Sequence, residues 1–411
     1  MKLPELLAPA GNMERLMTAF HFGADAVYVG MNKMSLRNFA DNFTLEELKI
    51  ACDYAHKNGK KIYVACNAFG KDDDFEELAE LIKGIYEAGA DAIIVNDPGV
   101  IYLAKQVAPK LELHLSTQAN TLNSYAAKFW YDQGVKRVIL ARELSLKQIS
   151  DMKKKMPDDL ELEIFVHGAM CISYSGRCLL SNYLAGRDAN RGECVQPCRW
   201  SYELREKGKE GEFFPIEQDE KGTYILNSRD MNLIEHLPEV IASGACSLKI
   251  EGRMKSIAYV ATVVNAYRMA LDEYKKAMEE GSNFVVPEII VNELYKTSHR
   301  PYSTGFMFGS PGAEGQYPIH AGYIKSYDIC ATVIDYDKEN HIAKIQQRNR
   351  FFDGEELDIL SPGDVGRKFT VKGIKNEDGE YQEATPHPKQ ILFIGCDEEV
   401  KCGDILRKKY N

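Results

Sequence analysis

Two periods organise the hydrophobic and polar positions of this chain. From residue 5 to about residue 280, short apolar runs alternate with amphipathic stretches of ten to fifteen residues. That alternation is the pattern of strands joined by helices, and it implies a parallel sheet. Leu6-Leu7-Ala8-Pro9-Ala10-Gly11 opens the series, and Asn12 offers an N-cap to the stretch 14–22. A cassette of glycine, a small or branched residue and an apolar strand then recurs at residues 23–30, 89–95, 134–140 and 244–250. Further apolar runs lie at 61–68, 111–117 and 160–166, and helices are expected over 45–57, 75–88 and 259–278. The sum is eight strands, the number required by a (β/α)8 barrel of the TIM type. A doubly wound open sheet competes, but no Gly-x-Gly-x-x-Gly follows the first strand, so the dinucleotide fingerprint is missing.

The rhythm breaks between residues 171 and 225, a long insertion after a barrel strand and therefore on the face where barrels do chemistry. Residues 281–320 form a Pro- and Gly-bearing connector. Beyond 320 the texture changes to short strands at 331–334, 342–346, 369–371 and 391–394, separated by Asp353-Gly354, Pro362-Gly363-Asp364 and Glu377-Asp378-Gly379. The expected organisation is an α/β barrel over 1–280 with a cysteine-rich insertion at 171–225, then a small C-terminal antiparallel β-barrel over 321–411.

Composition narrows the function. The 411 residues carry 51 Lys and Arg against 61 Asp and Glu, a net charge of −10, with 45% hydrophobic and 27% charged residues. These are globular values, and no apolar run reaches the ~18 residues of a membrane span. The first residues meet Pro4 and Glu5 at once and do not read as a signal peptide, so a cytoplasmic location is expected. The acidic balance argues against a broad nucleic-acid footprint and confines any such contact to a local basic region. Basic and aromatic residues do interleave around the insertion: Arg187, Arg191, Arg199 and Arg205 with Trp200 and Tyr202, preceded by Lys153-Lys154-Lys155. A solvated helix face accounts equally for the lysines.

Ten cysteines in a reducing compartment are buried hydrophobes or ligands, not a disulfide framework. Cys171, Cys178, Cys194 and Cys198 fall within 28 residues of one loop. Four thiolates on one loop suit a 4Fe-4S cluster. Zinc and unligated thiols compete, although structural zinc favours close pairs and only Cys194 and Cys198 have that spacing. Cys52, Cys66, Cys246, Cys330, Cys396 and Cys402 read as core residues, with Cys66 and Cys246 near enough to strand ends to substitute for a ligand.

The stretch Glu163-Ile164-Phe165-Val166-His167-Gly168-Ala169-Met170-Cys171, with Gly176, Cys178, Leu180 and Ser181, resembles the signature of the collagenase-like peptidase family, U32. Supporting matches are Glu5-Leu6-Leu7-Ala8-Pro9-Ala10-Gly11, Ser116-Thr117-Gln118-Ala119-Asn120, Lys249-Ile250-Glu251-Gly252-Arg253 and Ser303-Thr304-Gly305-Phe306, so the resemblance spans 1 to about 310. It implies one of two activities. One is proteolysis, as the family name says. The other is oxygen-independent hydroxylation by a 4Fe-4S protein, with branches acting on quinone precursors, ribosomal RNA and the wobble uridine of tRNA, the last with prephenate as oxygen source. A chain of this length with one C-terminal β-domain resembles the tRNA branch. A cluster-bearing scaffold for a partner hydroxylase, or a hetero-oligomer with a sibling family member, stays open. The residues support proteolysis poorly: there is no His-Glu-x-x-His and no Gly-x-Ser-x-Gly, and cysteines that bind iron are not free nucleophiles.

Strand ends supply the remaining candidates. Asn67, Gln118 and Asn120 are candidate substrate contacts. Arg142, Arg229 and Arg253 could clamp a small dicarboxylate such as prephenate, or pair with neighbours, Arg142 with Glu143 and Arg253 with Glu251. His167 is a candidate general acid or base, or only a hydrogen-bond donor near the cluster, and Glu251 is the second catalytic candidate.

Overall fold

The computed structural model describes residues 3–32, 41–171, 173–174, 177–191, 193–200, 218–219, 222–223, 228–315, 317 and 323–410. They form two compact units, the first made of residues 1–20, 24–255 and 300–323, the second of 21–23, 256–299 and 324–411.

The first unit holds the eight expected strands: β1 Glu5–Pro9, β2 Ala26–Gly30, β3 Lys61–Cys66, β4 Ala92–Val95, β5 Glu112–Leu115, β6 Arg137–Ile139, β7 Glu161–Ala169 and β8 Ser247–Ile250. Each pairs in parallel with the next, and β8 pairs with both β7 and β1, which closes the barrel. Glycines at 23, 89, 134 and 244 precede four of the strands with φ between 87° and 99°, a backbone that costs glycine little. Three of the helices between the strands start on side-chain caps. Thr44 and Glu47 form a capping box at Leu45–Lys57, Ser145 and Gln148 form another at Leu146–Lys153, and Asp97 caps Pro98–Val107 with proline at its first turn.

Leu6, Ile62, Val138, Leu162 and Leu248 are fully buried and occupy one set of alternating strand positions. The other set faces the barrel axis, where it holds charge rather than the usual branched aliphatics. Arg137 on β6 reaches across the interior to Glu5 on β1 at 2.6 Å and to Glu163 on β7 at 3.3 Å. Tyr63 donates its hydroxyl to Glu5, Ser247 donates to both glutamates, and Lys249 on β8 pairs with Glu163 at 2.8 Å. Burial pushes the Glu163 carboxyl up, but the charges of Lys249 and Arg137 prevail and hold it below its usual range.

After β7 a short strand, Asp230–Asn232, pairs antiparallel with the end of β7 and in parallel with Tyr302–Ser303. Arg300 and Asp230, both buried, are joined at 3.0 Å, which fixes this return to the rim.

The second unit contains the helices Ile257–Glu280 and Glu288–Leu294 and a seven-stranded antiparallel sheet. The sheet comprises Tyr327–Asp337, Ile342–Gln347, Glu356–Leu360, Arg367–Thr370, Lys372–Lys375, Ile391–Gly395 and Ile405–Lys409. Its two ends are consecutive halves of one segment, Arg367–Thr370 and Lys372–Lys375, so the sheet returns on itself through the buried Val371 around a core that includes Val333, Ile345, Phe351, Leu392 and Leu406. Within this unit Arg407 is buried between Glu293, whose two oxygens accept from Nη2 at 2.8 and 3.1 Å, and Asp358, at 2.8 Å from Nε. Among the described residues no helix is long and apolar enough to cross a membrane.

A candidate active site at the mouth of the barrel

The C-terminal ends of the strands enclose a cavity of about 150 Å³, floored by Lys249 and Phe165 and walled by Asn67, Gln118, Arg142 and Arg253. Strand alternation explains this set: Ala65 and Asn67 face in while Cys66 between them does not, and Phe165 and Lys249 are paired in register. Arg142 donates from Nη1 to the carbonyl of Ala169 at 2.8 Å and from Nη2 to Glu251 at 3.3 Å, and its guanidinium lies 3.9 Å from the Phe165 ring centre. The rim partner of Arg142 is thus Glu251, not the adjacent Glu143. Glu143 keeps a carboxyl raised chiefly by burial.

Arg253 reaches the cavity because two glycines make room. A Cβ on Gly11, just past β1, would lie 2.6 Å from the Arg253 carbonyl, and one on Gly30, the last residue of β2, would collide with its guanidinium. Gln118 is buried in the turn Thr117–Ala119, which Ser116 caps, and Asn67 donates to the Ser116 hydroxyl at 3.4 Å. The Gln118 and Asn67 carboxamide oxygens and the Arg142 Nε are buried without a protein partner among the described residues. Buried polar atoms are normally hydrogen-bonded, so three orphans in one cavity mark the place of a ligand.

Other candidates lie elsewhere. His167 is 1% exposed and does not line the cavity. Its ring packs 5.3 Å from that of Tyr302, and its carbonyl accepts from the Glu251 amide. Asn120, in a left-handed conformation at φ 49°, accepts from Arg177 Nε at 2.8 Å. Arg229 borders a separate recess with Ser303 and Thr304, its guanidinium 5.9 Å from the Tyr317 ring. Lys153–Lys155 end the helix after β6, at the opposite end of the barrel from the cavity, with Lys153 donating to the Leu160 carbonyl. Arg191 is tied to Asp74 at 3.0 Å and to the Phe69 carbonyl, which pins the insertion to the loop after β3 and holds the Asp74 carboxyl below its usual range. Tyr202 and Arg205 lie outside the described residues.

The insertion returns over the cavity, and Cys171, Cys178 and Cys194 line it; Cys198, half-buried, follows in the turn Pro197–Arg199. Ser181 Oγ lies 3.7 Å from Cys194 Sγ. Four cysteines outside any disulfide, three of them facing one cavity, are the soft donor set that an iron–sulfur cluster takes. Among the described residues, no three His, Cys, Asp or Glu side chains are drawn close enough to enclose an ion. Cys66 and Cys246 do not belong to this set. Cys66 is fully buried off the cavity, and Cys246 precedes β8 with its thiol on the Leu162 carbonyl, at the far end of the barrel; burial pushes both up to about 12.

Residues 11–317 match peptidase family U32 and residues 325–407 match the peptidase family U32 C-terminal domain. The chain belongs to peptidase family U32. Among the relatives of this U32 protein, tRNA hydroxylation protein P1 of Bacillus subtilis is 42% identical over 407 residues, covering 99% of this chain and 95% of the relative. The tRNA hydroxylation protein P of Escherichia coli is 35% identical, with 97% and 95% covered. The 23S rRNA 5-hydroxycytidine C2501 synthase of Escherichia coli is 36% identical over 316 residues, covering 76% of this chain and 46% of that one. The interior charges and Lys249 are what the strand-end reading undervalued. Their signal was present as Glu161-Leu162-Glu163 and Ser247-Leu248-Lys249, polar residues two apart inside strands.

Proposed function

We propose that this U32 protein is an RNA-modifying enzyme that hydroxylates the wobble uridine of tRNA at C5 without molecular oxygen, with prephenate as oxygen source. The observation that carries the reading is the 42% identity along 99% of the chain to a protein named for tRNA hydroxylation. The cavity supports it with arginines for a carboxylate and carboxamides for a base or hydroxyl. Cys171, Cys178, Cys194 and Cys198 would hold a 4Fe-4S cluster, which when bound supplies one-electron chemistry or a Lewis-acidic iron. In this reading Arg142 and Arg253 bind the small co-substrate, Gln118 and Asn67 orient the base, and Phe165 keeps the floor dry. Proteolysis by a thiol would need a base beside it, and among the described residues no histidine lines the cavity. The test is mass spectrometry of tRNA nucleosides from a deletion strain carrying the gene or an empty vector. Restored 5-hydroxyuridine supports the reading, and an unchanged nucleoside profile in the deletion removes it.

A further inference from the structure

The insertion carries a short helix, Leu180–Ala185, with one face turned in and the other out. Ser181 is buried, accepts from the Val195 amide at 3.2 Å and lies against Cys194, so it anchors the helix on the thiol side. Leu179 and Tyr183 stand on the opposite face, 68% and 85% exposed. The Tyr183 amide donates to the Leu179 carbonyl at 2.9 Å, the spacing that sets two side chains next to each other on a helix. Exposing both leaves in water the apolar surface that folding normally buries. Arg177 and Arg187, both exposed, bracket the pair, and the stretch 177–187 holds no Asp or Glu in a chain of net charge −10. Arg177 donates from Nε to the neutral carboxamide of Asn120 at 2.8 Å and from its amide to the Tyr174 carbonyl at 3.0 Å. Tyr174 lines the cavity, so Arg177 joins the exposed pair to the cavity wall.

We propose that the outer face of Leu180–Ala185 is a platform for unpaired RNA bases, with Tyr183 and Leu179 taking a base face and Arg177 and Arg187 the flanking phosphates. Three properties select this occupant. An exposed tyrosine ring offers a flat surface on which any base can stack, and a duplex hides its base faces in its own stack. Two arginines in a stretch without carboxylates complement a phosphate backbone. An apolar face of two residues is far smaller than what two protein copies bury in a stable pair. The tie to Tyr174 sets the platform at the edge of the cavity, where a strand that gives one base to the cavity keeps its neighbours. The platform deepens the RNA reading above and rests on it for its biological role, but not for its binding chemistry.

The experiment is fluorescence anisotropy of the full-length protein, purified without air, with a labelled RNA hairpin that has a uridine-containing loop and with the same stem as a blunt duplex. The hairpin should bind about tenfold more tightly than the duplex, and Tyr183→Ala should remove most of that difference, the worth of one stacked base. Tyr183→Phe, which keeps the ring, should bind as the wild type does. Arg177→Gln and Arg187→Gln should each lower the slope of log affinity against log salt by about one. Tyr102→Ala, at an exposed tyrosine outside the insertion, is the control and should change nothing. Thermal melting and iron content check that each variant keeps its fold. Equal affinity for hairpin and duplex overturns the platform, as does hairpin binding by Tyr183→Ala that matches the wild type. A dimer in sedimentation that Tyr183→Ala abolishes, with RNA affinity unchanged, assigns the face to a second copy instead. Nucleoside analysis separates the two proposals. If the deletion leaves tRNA nucleosides unaltered while hairpin binding depends on Tyr183, the function fails and the platform stands; if hydroxylation is present and Tyr183→Ala binds normally, the platform alone fails.

Discussion

A methyl group on Gly30 would sit 1.7 Å from Nη1 of Arg253. The atom displaced is the tip of a flexible side chain, so Gly30→Ala should cost the fold little, less than about 2 kcal/mol. It should nevertheless push the guanidinium out of place and lower tRNA hydroxylation at least tenfold, as Arg253→Ala should. On Gly11 the obstacle is the Arg253 backbone carbonyl at 2.6 Å, so Gly11→Ala should lose stability as well as activity. Melting temperature and nucleoside analysis read the two effects. Normal activity in Gly30→Ala would show that Arg253 is not needed where it stands.

Protein purified without air should be brown and hold about four iron and four sulfide per chain. Serine in place of Cys171, Cys178 or Cys194 should strip most of both, and Cys198→Ser should do the same if the fourth ligand lies in the turn Pro197–Arg199. Serine in place of Cys66 or Cys246 should leave the iron content unchanged. Iron loss in either of those two would mean that the insertion rearranges far more than its tie through Arg191 suggests.

Thiol reactivity gives a pH test. Burial pushes Cys52, Cys66, Cys246 and Cys330 up to about 12 and Cys396 up to about 11. Because the thiolate is the nucleophile, four units between pH 8 and a value of 12 leave roughly one molecule in ten thousand reactive. Ellman's reagent at pH 8 on chelator-treated native protein should label Cys402 and the insertion thiols quickly and these five only after denaturation. Their labelling should accelerate as pH rises. Peptide mapping that finds Cys66 or Cys330 modified early contradicts their burial.

The interior ion pairs make stability depend on acid. Glu163 is held below its unfolded value of about 4.3, so its contribution is complete above that pH and fades as pH falls through the lower folded value. Wild-type stability should decline steeply below about pH 4.5, and Glu163→Gln should flatten that decline. At pH 7 Arg137→Met, which strands Glu5 and leaves Glu163 with Lys249 alone, should cost about 3–5 kcal/mol in urea unfolding. A loss below 1 kcal/mol would place these charges in contact with water.

The sequence made the barrel legible because its strands are short apolar runs separated by amphipathic stretches, and four of them follow a glycine whose φ lies in the left-handed region. Arg142, Arg253, Asn67 and Gln118 were legible for a related reason: strand ends must point into the mouth. His167 shares that position along the chain, yet the bulge where β8 passes from Lys249 to Ile250 and the added strand Asp230–Asn232 turn it toward Tyr302 instead. Neither feature leaves a trace in hydrophobic period. The C-terminal strands Glu356–Leu360 and Ile405–Lys409 escaped because their charged members, Asp358 and Arg407, satisfy each other inside the unit and mask the apolar alternation.

The sheet that returns through Val371 bears on what can attach to the second unit. A protein that recruits partners by strand addition needs a long unpaired edge, and here the two ends of the sheet are four-residue halves of a single segment. Recognition by this unit must therefore run through its turns and side chains, and newly made copies have little edge to exchange with one another.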